Sequence, residues 1–210
     1  MAISTYGELK TSVANWLDRD DLTDRIPEFI ALCESMVIRS LRVRGMETLD
    51  TSISTVASQR NYDLPTGYLQ MKEFHLTTNP IRALAYLTPE MMFRVWAGST
   101  TGTPNAYTII GDQFYLGPAP ASTGTGSSML YYKQFDALSD SAPTNWVITN
   151  APHLYLYGTL LQAEPFLMND ARVPLWEKAV RQSLADIQEQ DNRDRHSGSE
   201  MRVMNTGGYF

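Results

Sequence analysis

The chain has 210 residues, of which 43% are hydrophobic, 10% aromatic and 19% charged, a globular composition that excludes general disorder. By area scaling a chain of this size buries about 70% of its unfolded surface, so its core needs no disulfide or metal staple. A net charge of −6 and a pI of about 5.0 exclude a strongly basic nucleic-acid coat, which holds phosphate through clustered Lys and Arg. The single cysteine, Cys33, excludes an internal disulfide framework and a cysteine zinc cluster. MAISTYGELK lacks a basic-then-apolar signal pattern, and no run approaches 18 apolar residues. The expectation is a soluble protein of a reducing compartment, or a particle assembled there.

Thr5-Tyr6-Gly7-Glu8 has capping-box spacing, and behind it Leu9, Val13, Trp16 and Leu17 form one apolar helical stripe. Asp18-Arg19-Asp20-Asp21 breaks the stripe and reads as a turn. A longer helix follows, with Pro27 in its first turn and Ile26, Ile30, Cys33, Val37 and Leu41 on one face. Arg39, Arg42 and Arg44 crowd its last turn, where cations complement the helix dipole. Residues 5–44 are therefore expected to form a helical hairpin.

From Met46 to Ile148 the texture is short β-prone runs: TSISTV, NYDLP, YLQMKEFHLT, IRALAYL, AYTII, QFYLG and MLYYKQF. Gly111-Asp112 predicts a tight hairpin and Asn79-Pro80 a turn. Thr88-Pro89-Glu90 predicts a short helix reaching Trp96. Between Val95 and Tyr132 the only charged side chain is Asp112, with neutral loops at Gly98–Asn105 and Gly117–Ser128. Such strands predict an antiparallel sandwich or small barrel.

Asn150-Ala151-Pro152 reads as an Asn cap and a proline near the first helical position, with Leu154, Tyr157, Leu160, Leu161 and Phe166 behind it. Pro165 is expected to end or kink that helix, and Asp170 to cap a last one carrying Val173, Trp176, Val180, Leu184 and Ile187. After Arg195 periodicity stops, and the last fifteen residues are expected to be disordered alone. The predicted class is α+β. Residues 1–46 and 149–195 make a helical bundle, 47–148 an inserted antiparallel β domain, and 196–210 an extended tail. Both terminal helix pairs need a partner for their apolar stripes, so they are expected to pack together.

The chemistry of the sequence is sparse. His75, His153 and His196 lie far apart with no metal-ligand spacing, so no metal and no cofactor is expected. The acidic run from Asp18 to Asp24 has Thr23 and Phe29 where a calcium loop needs glycine and glutamate. Gly124-Thr125-Gly126-Ser127-Ser128 has no following Lys and lies between strands, so it reads as a flexible loop rather than a phosphate cradle. There is no nucleophile elbow, and Cys33 on an apolar helical face reads as an ordinary buried thiol. Glu73, Glu90, Asp112, Asp136 and Asp140 could supply a carboxylate pair for glycan hydrolysis. Tyr62, Tyr68, Tyr86, Tyr107, Tyr115, Tyr131 and Tyr132 could make a sugar-stacking face, although tyrosine is also a normal strand residue. Nothing in these residues demands an enzyme.

Three stretches carry a resemblance: YGELKTSVANWLDRDDLTDRIPEFIALCESMVIRSLRVRGME, NYDLPTGYLQMKEF and LSDSAPTNWVITNAPHLYLYGTLLQAEPFLMNDARVPLWEKAV. Over about Tyr6 to Ala185 the chain resembles the head-to-tail adaptor (connector) proteins of tailed bacteriophages. Gly98 to Ser128 shows little of it beyond the hairpin at Gly111, and Cys33 and His153 stand where alanine and an acidic residue are expected. The resemblance implies a structural protein of the virion tail or neck, assembled in the host cytoplasm and not an enzyme. It implies a homo-oligomeric ring, typically of twelve copies, that binds the portal protein and carries the tail nozzle or other tail proteins. Duplex DNA is expected to pass through without specific binding, and no membrane is involved.

A closed ring requires two unlike faces of one protomer to meet, and the bundle is the expected place. Twelve copies at −6 apiece carry −72, which predicts salt-sensitive assembly on a portal template. In the tail, Met201, Arg202, Val203, Met204, Tyr209 and Phe210 are the expected portal-binding residues, as a segment that folds on binding. Two alternatives are a carbohydrate- or host-surface-binding module and a peptidoglycan-degrading enzyme.

Overall fold

The computed structural model describes residues 3–19, 21–97, 100–168 and 171–196. The fold is α+β and separates into two compact units, Met1–Arg44 with Asp136–Phe210, and Gly45–Phe135. The segment from Asp136 to Ile148 thus lies with the helices.

In the first unit the capping box at Thr5 forms as the sequence predicts. The Glu8 amide donates to Thr5 Oγ1 at 3.3 Å and the Thr5 amide to Glu8 Oε2 at 3.1 Å, starting α1 (Tyr6–Leu17). Leu9 and Val13 are buried, whereas Trp16 stays half-exposed. Asp18 ends the helix in the left-handed region, φ 52°. In α2 (Ile26–Ser40) the predicted face is buried throughout. The Arg42 guanidinium closes its C-terminus by donating to Ile38 O at 2.7 Å and Leu41 O at 2.6 Å.

The predicted Asn150 cap is corrected. Asn145 caps an extra short helix, called α4 below, accepting from the Ile148 amide at 3.0 Å over Trp146–Asn150. The Asn150 side chain instead donates to Trp146 O. The break falls at Ala151, because a residue before proline is pushed out of the helical region. The next helix, α5 (Pro152–Leu167), carries Pro165 inside its last turn and ends at Met168, which sits in the left-handed region with φ 54°. Asp170 lies outside the described residues. The last helix, α6 (Val173–His196), runs one residue past the expected stop; Trp176, Val180 and Ser183 are buried. Helix α5 packs against α1, α2 and α6, which completes the bundle.

The second unit begins within a single 3-10 turn at Arg44–Met46. Its strands are β1 (Glu47–Asp50), β2 (Asn61–Asp63), β3 (Tyr68–Leu76), β4 (Arg82–Ala83) and β5 (Ala85–Tyr86). Helix α3 (Pro89–Val95), capped by Thr88 as predicted, precedes β6 (Thr101–Gly102), β7 (Ala106–Ile110), β8 (Gln113–Gly117), β9 (Ala119–Pro120) and β10 (Ser127–Lys133). One sheet has the order β1-β10-β3-β4 and the other β2-β8-β7-β5. Phe74, Leu76, Met129 and Tyr131 from the first share one core with Tyr107, Phe114 and Leu116 from the second. The arrangement is therefore a sandwich and not a closed barrel.

Within it, Gly111 supplies the left-handed first turn residue, φ 59°, of the β7–β8 hairpin. Two pairings, β5 with β7 and β6 with β9, are parallel and only two residues long. TSISTV forms no strand beyond one bridge at Ser54, but it pins the glycine loop opposite. The Thr55 amide donates to Thr125 O at 2.8 Å, its hydroxyl to Ser122 O at 3.0 Å, and the Gly124 amide to Thr55 O at 2.8 Å. The loop read as flexible is thus held along its length.

Candidate functional site

The residues that could carry chemistry are dispersed. Among the described residues no group of three His, Cys, Asp or Glu side chains could hold a metal ion, and no helix is long and apolar enough to cross a membrane. Of the carboxylate candidates, Glu73 sits 3.5 Å from His75 Nδ1 on β3, and Asp140 pairs with Lys10 at 2.8 Å in the other unit. Most of the tyrosines serve the sandwich interior: Tyr107 and Tyr131 are buried, and Tyr62 and Tyr68 pack on the same core. Tyr86 alone of the set is more than half-exposed, so the structure brings together no flat sugar-stacking row. The Cys33 thiol is buried in the bundle, and burial pushes its pKa up to about 12, far from a nucleophile's range. The tail residues Met201, Arg202, Val203, Met204, Tyr209 and Phe210 lie outside the described residues.

What the sequence reading missed is a buried polar hub. Glu34, on α2, accepts at one oxygen from the Leu138 amide at 2.8 Å and from the Tyr155 hydroxyl at 2.9 Å. The Tyr155 hydroxyl in turn accepts from Asn145 Nδ2 at 2.7 Å, and Asn145 also reaches Asp136 O at 2.9 Å. Burial raises the Glu34 pKa, opposed by those two hydrogen bonds; burial likewise raises Tyr155. This hub locks the returning chain, α4 and α5 onto α2. One signal was available: Glu34 falls four residues after Ile30, inside the apolar stripe, where a charge needs partners. A second buried carboxylate, Glu164, accepts from Trp176 Nε1 at 2.9 Å and joins α5 to α6.

The far end of α6 is tied by polar contacts. Asp191 accepts from the Arg44 amide at 2.7 Å and from Arg195 Nε at 2.6 Å, while Arg44 Nη1 donates to Asp194 O at 2.9 Å. The clasp joins the exit of α2 to the helix that leads into the tail.

The surface left over is apolar in several places. On the bundle, Leu32 and Phe166 are half-exposed, with Phe166 against Phe29 at 5.6 Å between ring centres. On the sandwich, α3 turns Met92 inward and leaves Met91, Phe93 and Val95 about half-exposed. Leu49 on β1 and Ile81 beside β4 stand out further still.

No curated protein matches the chain significantly. A family model described as SU10 adaptor protein matches residues 4–204, which takes in both units and nearly all of the chain. With that match over a fold of the expected class, the chain belongs to the SU10 adaptor protein family and is a bacteriophage head-to-tail adaptor, a structural protein of the virion.

Proposed function

We propose that the chain forms a ring, of twelve copies, that binds below the portal in the virion neck, continues the DNA channel and carries the tail nozzle or other tail proteins. The observation that carries this reading is the family match across residues 4–204. The net charge of −6 per copy supports a channel that lets duplex DNA slide without phosphate contacts holding it. The exposed apolar sets on α3, on the sandwich edges and on the bundle supply contact surface for neighbours. On this reading the chain is a structural part and not an enzyme.

The tail, through Met201, Arg202, Val203, Met204, Tyr209 and Phe210, is the proposed portal anchor, folding as it binds. Its apolar and aromatic side chains need a partner that the rest of the segment, with its glycines, does not offer. The test is co-sedimentation with assembled portal rings of the full chain and of a chain lacking Ser199–Phe210. The full chain is expected to pellet with the portal and the truncated one to stay in solution. Retention of the truncated chain would remove the anchoring role.

A further inference from the structure

The sheet β1-β10-β3-β4 ends in two open edges that are unlike each other. Along a strand, N–H and C=O groups point alternately to either side. The Thr77 amide donates to Gly126 O at 3.0 Å, so Glu73 and His75 bond toward β10; the Leu84 amide donates to Phe74 O at 2.8 Å, so Phe74 and Leu76 bond toward β4, and the register shifts of β3 fall beyond Glu73. Carried across the register of the sheet, the alternation turns Asp50 and Thr48 toward β10 and leaves Glu47 and Leu49 facing outward from β1. On the opposite edge Arg82 and Leu84 bond toward β3, and Ala83 faces outward from β4. Leu49 on one edge and Ala83 on the other thus turn backbone donors and acceptors outward, the raw material for pairing with another strand.

Their side chains are complementary. The β1 edge carries Leu49, 61% exposed, and acidic Asp50, while Glu47 is held by Lys72 Nζ at 2.9 Å; the β4 edge carries Ile81, 69% exposed, and basic Arg82. Asp50 accepts from the Ser52 amide and hydroxyl through Oδ1, which leaves Oδ2 for a further donor. Among the described residues Arg82 has no ion pair. The strand directions agree as well. All three pairings within the sheet are antiparallel, so β1 and β4 run in opposite senses. A second copy in the same orientation therefore brings its β1 beside this β4 as one more antiparallel pair.

We propose that β1 of one copy adds to the β4 edge of the next, continuing the sheet from protomer to protomer, with Arg82 opposite Asp50 and Ala83 opposite Leu49. This rests on the ring reading given above. In that register the small Ala83 leaves room for Leu49, and Ile81 lies one diagonal step from it. Such a contact joins two unlike edges, as a closed ring requires. The isologous alternatives are opposed by charge: β1 on β1 brings Asp50 toward Asp50, and β4 on β4 brings Arg82 to Arg82.

The test uses the full chain on assembled portal rings. Hydrogen-bonded antiparallel neighbours sit about 5.5 Å apart at Cα, within disulfide reach, and the native Cys33 is buried. After mild oxidation, Leu49→Cys/Ala83→Cys should give a ladder of covalent multimers beyond the dimer on a non-reducing gel, and each single variant should stay monomeric. Asp50→Arg and Arg82→Asp, each alone, should raise the concentration needed to fill the portal about tenfold or more by mass photometry, and the pair together should bring it back near the wild-type value. All of these variants should keep wild-type circular dichroism. A filled portal that yields no ladder overturns the edge pairing and leaves the adaptor reading standing. So do charge variants that fill like the wild type, or dimers from Leu49→Cys alone, which mark a β1–β1 contact. A wild-type chain that leaves the portal bare overturns both.

Discussion

Cys33 and Gly158 set the spacing between α2 and α5. A Cβ placed on Gly158 would fall well inside contact distance of Cys33 Sγ and 3.5 Å from Met36 Cε, so the two helices approach through the missing side chain. Gly158→Ala is therefore expected to destabilise the protein by about 1–3 kcal/mol, an overpacking effect seen as a lower denaturation midpoint. Glu34 gives a second test at the same contact. Its pKa is raised in the folded protein, so folding takes up a proton between the ordinary glutamate value and the raised one. Its stabilising contribution is then fullest below the ordinary value and is lost as pH rises through the raised one. Glu34→Gln should remove that slope: the wild type gains stability relative to the variant as pH falls toward the ordinary glutamate range. Urea titrations of both proteins across that window read the difference, and parallel pH profiles would contradict the hub's assignment to Glu34.

At the scale of elements, the helix ends and stripes were legible because their causes are local. The Thr5 capping box, the Thr88 cap with Pro89, the buried face of α2 and the Gly111 hairpin each depend on a few neighbouring residues. The order of strands was not legible, since β1 pairs with β10 and β10 with β3, contacts chosen by a shared core and not by sequence neighbours. The two open edges were hidden for the same reason, because an edge exists only once the order is fixed. Helix α4 was masked by a competing signal: Asn145 and Asn150 both look like caps, and only the packing of the Glu34 hub decides for Asn145. Exposure on α3 was not readable either, because an apolar helix position looks the same whether it faces a core or a partner. The polar clasp on α6 has its own test. Beyond Ser183 the only partly buried apolar side chains described are Leu184 and Ile187, so Asp191 holds the helix end through hydrogen bonds that water can replace. Asp191→Ala should speed hydrogen exchange of residues 188–196 about tenfold while leaving the Trp176 turn protected. Unchanged exchange would show that the end is held otherwise.

For the whole molecule, the two units divide the work. The bundle draws the two ends of the described chain into one helical unit through α5, and the sandwich presents α3, its open edges and neutral loops on an independent core. In the proposed ring twelve copies at −6 apiece would carry a combined −72, so a template that concentrates and orients them would favour ring closure. Electron microscopy of the purified chain, with and without its assembled portal, tests this most directly by counting subunits around the axis. A stoichiometric ring of twelve on one face of the portal is expected, with no complete ring in the portal's absence at low salt. Complete rings formed by the isolated chain would contradict the template, and a portal that stays bare at every salt concentration would contradict the adaptor ring itself.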